Sequence, residues 1–363
     1  MSMITLAYLV GGLVLLVVGA EALVRGASRL AARFGISPLI IGLTVVAFGT
    51  SAPETAVSIQ ASLNGSGDIA VGNVIGSNIA NILLILGLSA LVAPLVVSRQ
   101  LVRLDVPVMI GAGLLTFGLA WDGRVSQLDG FILLALLLVY TAFLVIVSRR
   151  EKSRQQDEFA DEYGVDENAR PFGWAFQLCL VLIGLALLIV GSNFLIEGAV
   201  ALARALGLSE LVIGLTVIAV GTSMPELATS LMAVYRGERD IAVGNIVGSC
   251  IFNLLLVLGA GSAISSEGLS ISPNALAFDL PVMLAVFAAC LPIFFSGYRI
   301  NRWEGLMFFA YYIAYTLYLV MFSTGLPAIS LLRHAMTWYV LPLTAVTLLV
   351  IFLRAWKHQR GAT

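Results

Sequence analysis

Long apolar runs, separated by short polar breaks, fill this chain from end to end. A bilayer core needs about 20 apolar residues per helix. On that measure the pattern predicts eleven spans, near 4–24, 38–63, 69–94, 104–121, 126–147, 173–196, 210–234, 241–264, 276–296, 303–324 and 336–353. Of the 363 residues, 60% are hydrophobic and 11% charged, and the mean hydropathy is +1.00. A soluble domain cannot hide that much apolar surface, so the expected class is an all-α polytopic membrane protein. The basic residues agree with the span count. Taken loop by loop, 17 fall on one side, among them Arg25, Arg99, Arg149, Arg236, Arg299 and Arg354, while only Arg124, Arg204 and Arg333 fall on the other. By the positive-inside rule the N-terminus lies outside and the C-terminus in the cytoplasm.

Several functions are disfavoured at once. The net charge is −1 and there is no dense basic tract, so no nucleic-acid partner is expected. Cys179, Cys250 and Cys290 lie inside apolar segments without a C-x-x-C pair, which argues against a disulfide framework or a zinc site. His334 and His358 lie near the C-terminus, away from the polar clusters. The first apolar run is long and lacks a basic leader, so no cleavable signal is expected. The polar segment Arg149 to Pro171 carries seven acids and five bases without EF-hand spacing, and reads as a solvated linker.

The chain is written twice. Shifted by 172 positions, GLTVVAFGTSAPE (Gly42 to Glu54) meets GLTVIAVGTSMPE (Gly214 to Glu226), and DIAVGNVIGSNIANILLILG (Asp68 to Gly87) meets DIAVGNIVGSCIFNLLLVLG (Asp240 to Gly259). Weaker echoes pair Asp105 with Asp279 and Tyr140 with Tyr315. The expected organisation is a first five-helix repeat over 1–148 with its motif at 42–87, and a linker at 149–171. A second repeat follows over 172–324 with its motif at 214–259, then an extra helix and tail over 325–363. Five is odd, so the second copy enters the membrane from the opposite side. This is the inverted-repeat plan of secondary transporters, whose site lies near the midplane where the copies meet.

The two copies agree best where they are polar. Glu54 lies nine residues before the outer end of its span, about 13 Å deep, and Ser77 and Asn81 lie about 12 and 18 Å into the next. Glu226, Ser249 and Asn253 repeat this from the inside. Thr50, Ser51 and Glu54 share a helix face, as do Ser77 and Asn81. Pro53 and Pro225 lack an N–H, so carbonyls near Gly49 and Gly221 lose their usual donors, and in hydrocarbon such groups need a partner. Each GTS-x-PE stretch therefore reads as a broken helix offering oxygens, suited to Na+ or Ca2+ and less to Mg2+. Blander roles stand beside this. Thr50, Ser51, Thr222 and Ser223 can bond back to their own helices. Asn81 and Asn253 can join helices, and Gly72, Gly76, Gly244 and Gly248 can permit close packing. Asp68, Asp240, Asp105 and Asp279 read as helix N-caps. Glu21 and Glu197, near span ends, need not be buried.

The paired GTSAPE…GNVIGSNIAN and GTSMPE…GNIVGSCIFN segments resemble the alpha repeats of the calcium/cation antiporter superfamily, the sodium/calcium exchanger group, over residues 1 to 324. The resemblance implies a ten-helix core with ion sites between spans 2, 3, 7 and 8, and spans 1 and 6 sliding as a gate. It implies that Glu54 and Glu226 are central carboxylates shared by Ca2+ and Na+. Thr50, Ser51, Ser77, Thr222, Ser223 and Ser249 would line sodium sites, with the carbonyls of Ala47 and Ala219, and Asn81 and Asn253 would complete the centre. Some potassium-dependent relatives carry an aspartate where Asn253 stands, so asparagine argues against K+ use. Proton-coupled relatives usually differ at GTS-x-PE, which favours Na+, with H+/Ca2+ exchange the runner-up. Cys250 and the eleventh span depart from the commoner pattern, and no large regulatory calcium-binding domain is expected. Bare carboxylates inside a membrane are costly, so an empty carrier crosses reluctantly and exchange becomes obligatory. A calcium channel is disfavoured by the inverted repeat. A hydrolase using Ser51 or Ser223 is disfavoured because no histidine or lysine shares their spans. No cofactor is expected. The partners are Ca2+, Na+ and the lipid bilayer, in a prokaryotic plasma membrane.

Overall fold

The computed structural model describes residues 3–163, 173–207, 213, 217, 219–326 and 329–360. Span 1 is Met3–Phe34. Span 2 is a broken pair, Pro38–Thr50 and Ala52–Leu63, bent by 46°. Spans 3 to 6 are Gly67–Val92, Leu101–Asp122, Gln127–Ser148 and Gly173–Ala205, and spans 8 to 10 are Arg239–Ile264, Ala275–Phe295 and Arg302–Thr324. Among the described residues, eight helices are long and apolar enough to cross a bilayer, or nine with the bent pair. Span 7 is described as Ala219–Thr222 and Met224–Tyr235. Apart from Ile213 and Val217, the rest of its expected start, including Gly214, lies outside the described residues. An additional C-terminal helix, Leu341–Arg360, follows span 10, and its Thr344 hydroxyl bonds Tyr311 of that span.

The helices outrun the apolar pattern. Span 1 runs ten residues beyond the expected end at 24, through Arg25, Arg29 and Arg33. Charge ends the lipid-facing run but not the helix, which stops at Gly35, where φ is +63°. Span 6 likewise continues to Ala205, and Gly207 follows at φ +79°. Span 5 continues as helix to Tyr163, into the first part of the expected linker. The remainder of that linker, 164–171, lies outside the described residues.

Spans 3 and 8 form the centre: 83% and 94% of their apolar windows are buried, against 22% for span 1 and 28% for span 6. Glycines allow the closest approaches. A Cβ built at Gly42 would lie 2.8 Å from Ile241 O, and one at Gly248 would lie 2.8 Å from Leu43 O, so span 2 and span 8 meet backbone to backbone. Spans 1 and 6 pair antiparallel along two glycine rows, Gly12, Gly19 and Gly26 against Gly184, Gly191 and Gly198. Seven-residue spacing keeps each row on one face. Gly244 packs as expected, but Gly72 and Gly76 do not: no atom lies within 4 Å of a Cβ built there.

Short strands tie the repeats together. Strand β1 (Leu95–Val96) pairs antiparallel with β4 (Arg299–Ile300), and β2 (Arg124–Val125) pairs with β3 (Leu269–Ser270). Each ribbon joins a loop of one repeat to a loop of the other.

The expected aspartate caps need correction. Asp68 and Asp240 stand inside the first turns of their helices, after N-caps Ser66 and Glu238. There they offset the positive end of the helix dipole. Asp105 and Asp279 have helical dihedrals and close wide π-turns, Leu101–Asp105 and Ala275–Asp279. Pro107 and Pro281 follow two residues later and withhold a backbone donor, which permits the wider turn. The Asp105 carboxylate accepts from Tyr140 OH at 3.0 Å, and Asp279 accepts from Tyr315 OH at 2.9 Å and from Asn274 Nδ2 at 3.2 Å.

Candidate ion-binding site

The two helix breaks fall at Ser51 and Ser223. Their backbones are nearly the same, φ −79° and ψ 10° against φ −87° and ψ 10°. Such bridge-region angles interrupt a helix without a loop. The proline two residues on stands in the first turn of the next segment, where its missing N–H costs least. Glu54 and Glu226 follow immediately, and both are 1% exposed.

The breaks cross-link. Ser51 Oγ donates to Glu226 Oε1 at 3.0 Å, and Ser223 Oγ donates to Glu54 Oε1 at 3.1 Å. Ser223 Oγ also lies 3.3 Å from Ser77 Oγ. One hydroxyl carries one proton, so Ser77 is the donor when Ser223 serves the carboxylate. Thr50 and Ser249 also stand beside Glu226, yet Ser249 Oγ makes no hydrogen bond of acceptable geometry. The structure thus gathers Thr50, Ser51, Glu54, Ser77, Ser223, Glu226 and Ser249.

The remaining expected residues divide. Asn81 and Asn253 are buried and each opens a π-turn, Asn81–Leu86 and Asn253–Leu258. Widened turns of this kind recur at functional positions. Asn253 bonds Asn78 across spans 8 and 3 at 3.3 Å, a helix-joining role. Thr50 Oγ1 reaches Asn245 Oδ1 at 3.1 Å, and its bond back to Ala47 O is the longer at 3.4 Å. Ala47 O also accepts Ser51 N at 3.1 Å, and Ser223 N donates to Val220 O at 3.2 Å. Thr222 is buried. The carbonyl of Gly221 finds a donor in Ser192 Oγ of span 6 at 2.7 Å. The position 172 earlier is Ala20, which has no hydroxyl.

Five framework residues escaped the sequence reading: Asn73, Asn245, Ser58, Ser230 and Asn78. Asn73 Nδ2 donates to Ser58 Oγ at 2.9 Å and to Glu54 O at 3.2 Å. Asn245 Nδ2 repeats this with Ser230 Oγ at 3.0 Å and Glu226 O at 3.5 Å. The signal was present: both pairs are identical under the 172-residue shift, and each serine stands one helical turn after its glutamate.

Buried atoms without a hydrogen-bond partner concentrate here. They include Glu54 Oε2, Glu226 Oε2, Ser249 Oγ, Asn253 Oδ1 and both amide atoms of Asn81. Among the described residues no three His, Cys, Asp or Glu side chains gather in a metal-holding group. A cation held here would therefore rely on two carboxylates and on neutral oxygens.

The comparisons with known proteins point the same way. The family described as sodium/calcium exchanger protein matches residues 4–146 and 176–321, well over half of the chain. This chain belongs to the sodium/calcium exchanger family. It is 42% identical over 280 residues to the inner membrane protein YrbG of Escherichia coli, covering 77% of this chain and 85% of that one. It is 33% identical over 335 residues to the sodium/calcium exchanger MaX1 of Methanosarcina acetivorans, covering 84% and 95%. A solved structure of the sodium-calcium exchanger NCX_Mj, soaked with zero Na+ and Ca2+, matches at TM-score 0.72 and 34% identity, covering 86% of this chain and 98% of that one. The chain is a multi-pass membrane protein of the antiporter type, not an enzyme, and its fold is the helical exchanger fold.

Proposed function

We propose that this exchanger moves Ca2+ against Na+ by alternating access, with Glu54 and Glu226 as the central ligands. The supporting observation is the reciprocal pair of bonds from Ser51 to Glu226 and from Ser223 to Glu54, with the second oxygen of each carboxylate unpartnered. In a water-poor interior such oxygens need a counter-charge. Two formal negative charges offset one Ca2+ or a set of Na+ ions, and an all-oxygen surround suits both. Thr50, Ser51, Ser77, Thr222, Ser223, Ser249, Asn81, Asn253 and the carbonyls of Ala47 and Ala219 complete the proposed ligand set.

Spans 1 and 6, joined along their glycine rows, form the proposed moving unit. Span 1 packs along Met224–Tyr235, while span 6 makes little contact with the matching half of the first repeat, Ala52–Leu63. That imbalance is what a carrier closed on one side and open on the other presents. The basic-residue bias assigns the closed side to the cytoplasm. On the same reasoning its N-terminus lies outside and its C-terminus in the cytoplasm, and the similarity to an inner membrane protein supports a plasma membrane.

The test is uptake of radiolabelled Ca2+ into proteoliposomes loaded with Na+ and diluted into Na+-free buffer, with an imposed pH gradient as the control. Saturable uptake that needs internal Na+ is the expected result. Glu54→Gln and Glu226→Gln are each expected to lower it at least about 100-fold, as befits removal of a charge worth several kcal/mol at a buried site. Uptake driven by the pH gradient alone overturns sodium coupling in favour of protons. Flux that does not saturate overturns the carrier reading.

A further inference from the structure

Positions 78 and 250 occupy the same place in the two repeats, one residue after Ser77 and Ser249. One holds asparagine and the other cysteine, and both are fully buried. The difference reaches the two amides of the site. Asn253 donates Nδ2 to Asn78 Oδ1 at 3.3 Å, and Asn78 sets its own Nδ2 3.5 Å from Met283 Sδ. This leaves Oδ1 as the only buried atom of Asn253 without a partner. The mate of that contact would join Asn81 to residue 250. A thiol stands there instead, and neither Nδ2 nor Oδ1 of Asn81 has a partner. Cys250 is beside Asn81, but sulfur is a weak acceptor. Its thiol faces the Asn78 carbonyl, 3.9 Å away.

A cation satisfies oxygens only. It accounts for Glu54 Oε2, Glu226 Oε2, Ser249 Oγ, Asn253 Oδ1 and Asn81 Oδ1, but it repels an N–H. Among the described residues, two buried side-chain nitrogens lack an acceptor, Asn81 Nδ2 and Gln100 Nε2. Gln100 lies just before span 4, outside the site. Asn81 Nδ2 is thus the one donor in the site that ion binding cannot satisfy, and a buried donor left unmet is costly.

We infer that residues 78 and 250 set the orientation of the two site amides. Asn78 is a positioning residue that fixes Asn253 with its carbonyl oxygen toward the ion. Cys250 withholds the same service from Asn81, so the half of the site built by the first repeat is the looser half. This rests on the reading that Asn81 and Asn253 face the transported ions. A fixed amide is already ordered when the ion arrives, whereas a free one must be ordered by it, and that ordering lowers affinity.

Exchanging the two residues tests this. The measurement is equilibrium binding of radiolabelled Ca2+ to the purified full chain in Na+-free detergent solution, with uptake KM and maximal rate alongside. Asn78→Cys is expected to weaken Ca2+ binding about two- to tenfold, the equivalent of one amide hydrogen bond. Cys250→Asn is expected to tighten it by about two- to fivefold, and KM is expected to move more than the maximal rate. The double exchange, Asn78→Cys with Cys250→Asn, moves the fixed amide from Asn253 to Asn81 and is expected to restore binding to within about twofold of wild type. A role in packing alone would not give that rescue. Unchanged binding by a monodisperse Asn78→Cys protein, or a double exchange that binds no better than Asn78→Cys, overturns the proposal. If the binding series comes out as stated while wild type shows no Na+-driven uptake, the positioning role stands and the exchange reading fails.

Discussion

Spans 1 and 6 are joined by backbone-to-backbone contact at glycines, which makes Gly184→Ala a direct test of the paired unit. A Cβ at residue 184 would lie 2.6 Å from Leu23 N, 2.8 Å from Gly19 O and 2.9 Å from Leu23 Cβ. The nearest two are backbone atoms, which no change of rotamer can move. Non-bonded atoms settle at about 3.5–4.0 Å, so the helices must part locally by roughly 1 Å. Overpacking of this kind costs about 1–3 kcal/mol. The exchange of a helical glycine for alanine returns up to about 1 kcal/mol, and this gain must be removed from the comparison. Gly111→Ala does so, because Gly111 is exposed in span 4 and no atom lies within 4 Å of a Cβ built there. The difference between the two variants isolates the clash, at about 1–3 kcal/mol. Thermal unfolding in a single detergent, followed by circular dichroism, reads it as a midpoint about 1–4 °C lower for Gly184→Ala. Equal midpoints for the two variants would refute the close packing of spans 1 and 6.

Further expectations follow from single contacts. Ser192→Ala removes the donor to Gly221 O and is expected to cost about 1–3 kcal/mol of stability. Ala20→Ser, at the repeat-related position, supplies no native partner, and unfolding midpoints of the two separate them. Tyr140→Phe is expected to cost more than Tyr315→Phe, because Asp105 is fully buried whereas Asp279 is only partly so. The same unfolding assay ranks the pair. Arg236→Gln breaks the two-pronged ion pair with Glu21 of span 1. Both groups are partly exposed, so the loss is expected to stay below about 1 kcal/mol, to fade in concentrated salt, and to be absent when Glu21 is already Gln. A double-mutant cycle at two salt concentrations measures it.

The sequence by itself determined a great deal. Membrane spans are set by the length and apolarity of contiguous runs, so most of them and their order were legible: eleven were expected, and among the described residues nine are long and apolar enough to cross when the bent pair counts as one. The 172-residue repeat made the inverted architecture legible as well. The same repeat marked Thr50, Ser51, Glu54, Ser77 and Asn81 with their mates, because polar residues kept twice at mid-depth carry a cost that lipid solvation alone does not explain. Spacing alone predicted a shared helix face for each glutamate and its own serine, but the helices break at Ser51 and Ser223. Only the tertiary structure decided which serine serves which glutamate. The repeats interdigitate, so Ser51 serves Glu226 and Ser223 serves Glu54, a pairing set by how two distant segments meet. The structure likewise turned Asp105 and Asp279 from expected caps into tyrosine-bonded groups, because their partners lie on neighbouring spans 35 and 36 residues away. Helix ends past Arg25 and Arg33 were hidden because hydropathy reports contact with lipid, while a backbone ladder continues into water until a residue such as Gly35 breaks it. The unequal fates of Asn81 and Asn253 were hidden too. Asn78 and Cys250 stand in plain view in the sequence, but a hydrogen bond between spans 3 and 8 exists only once those spans are packed.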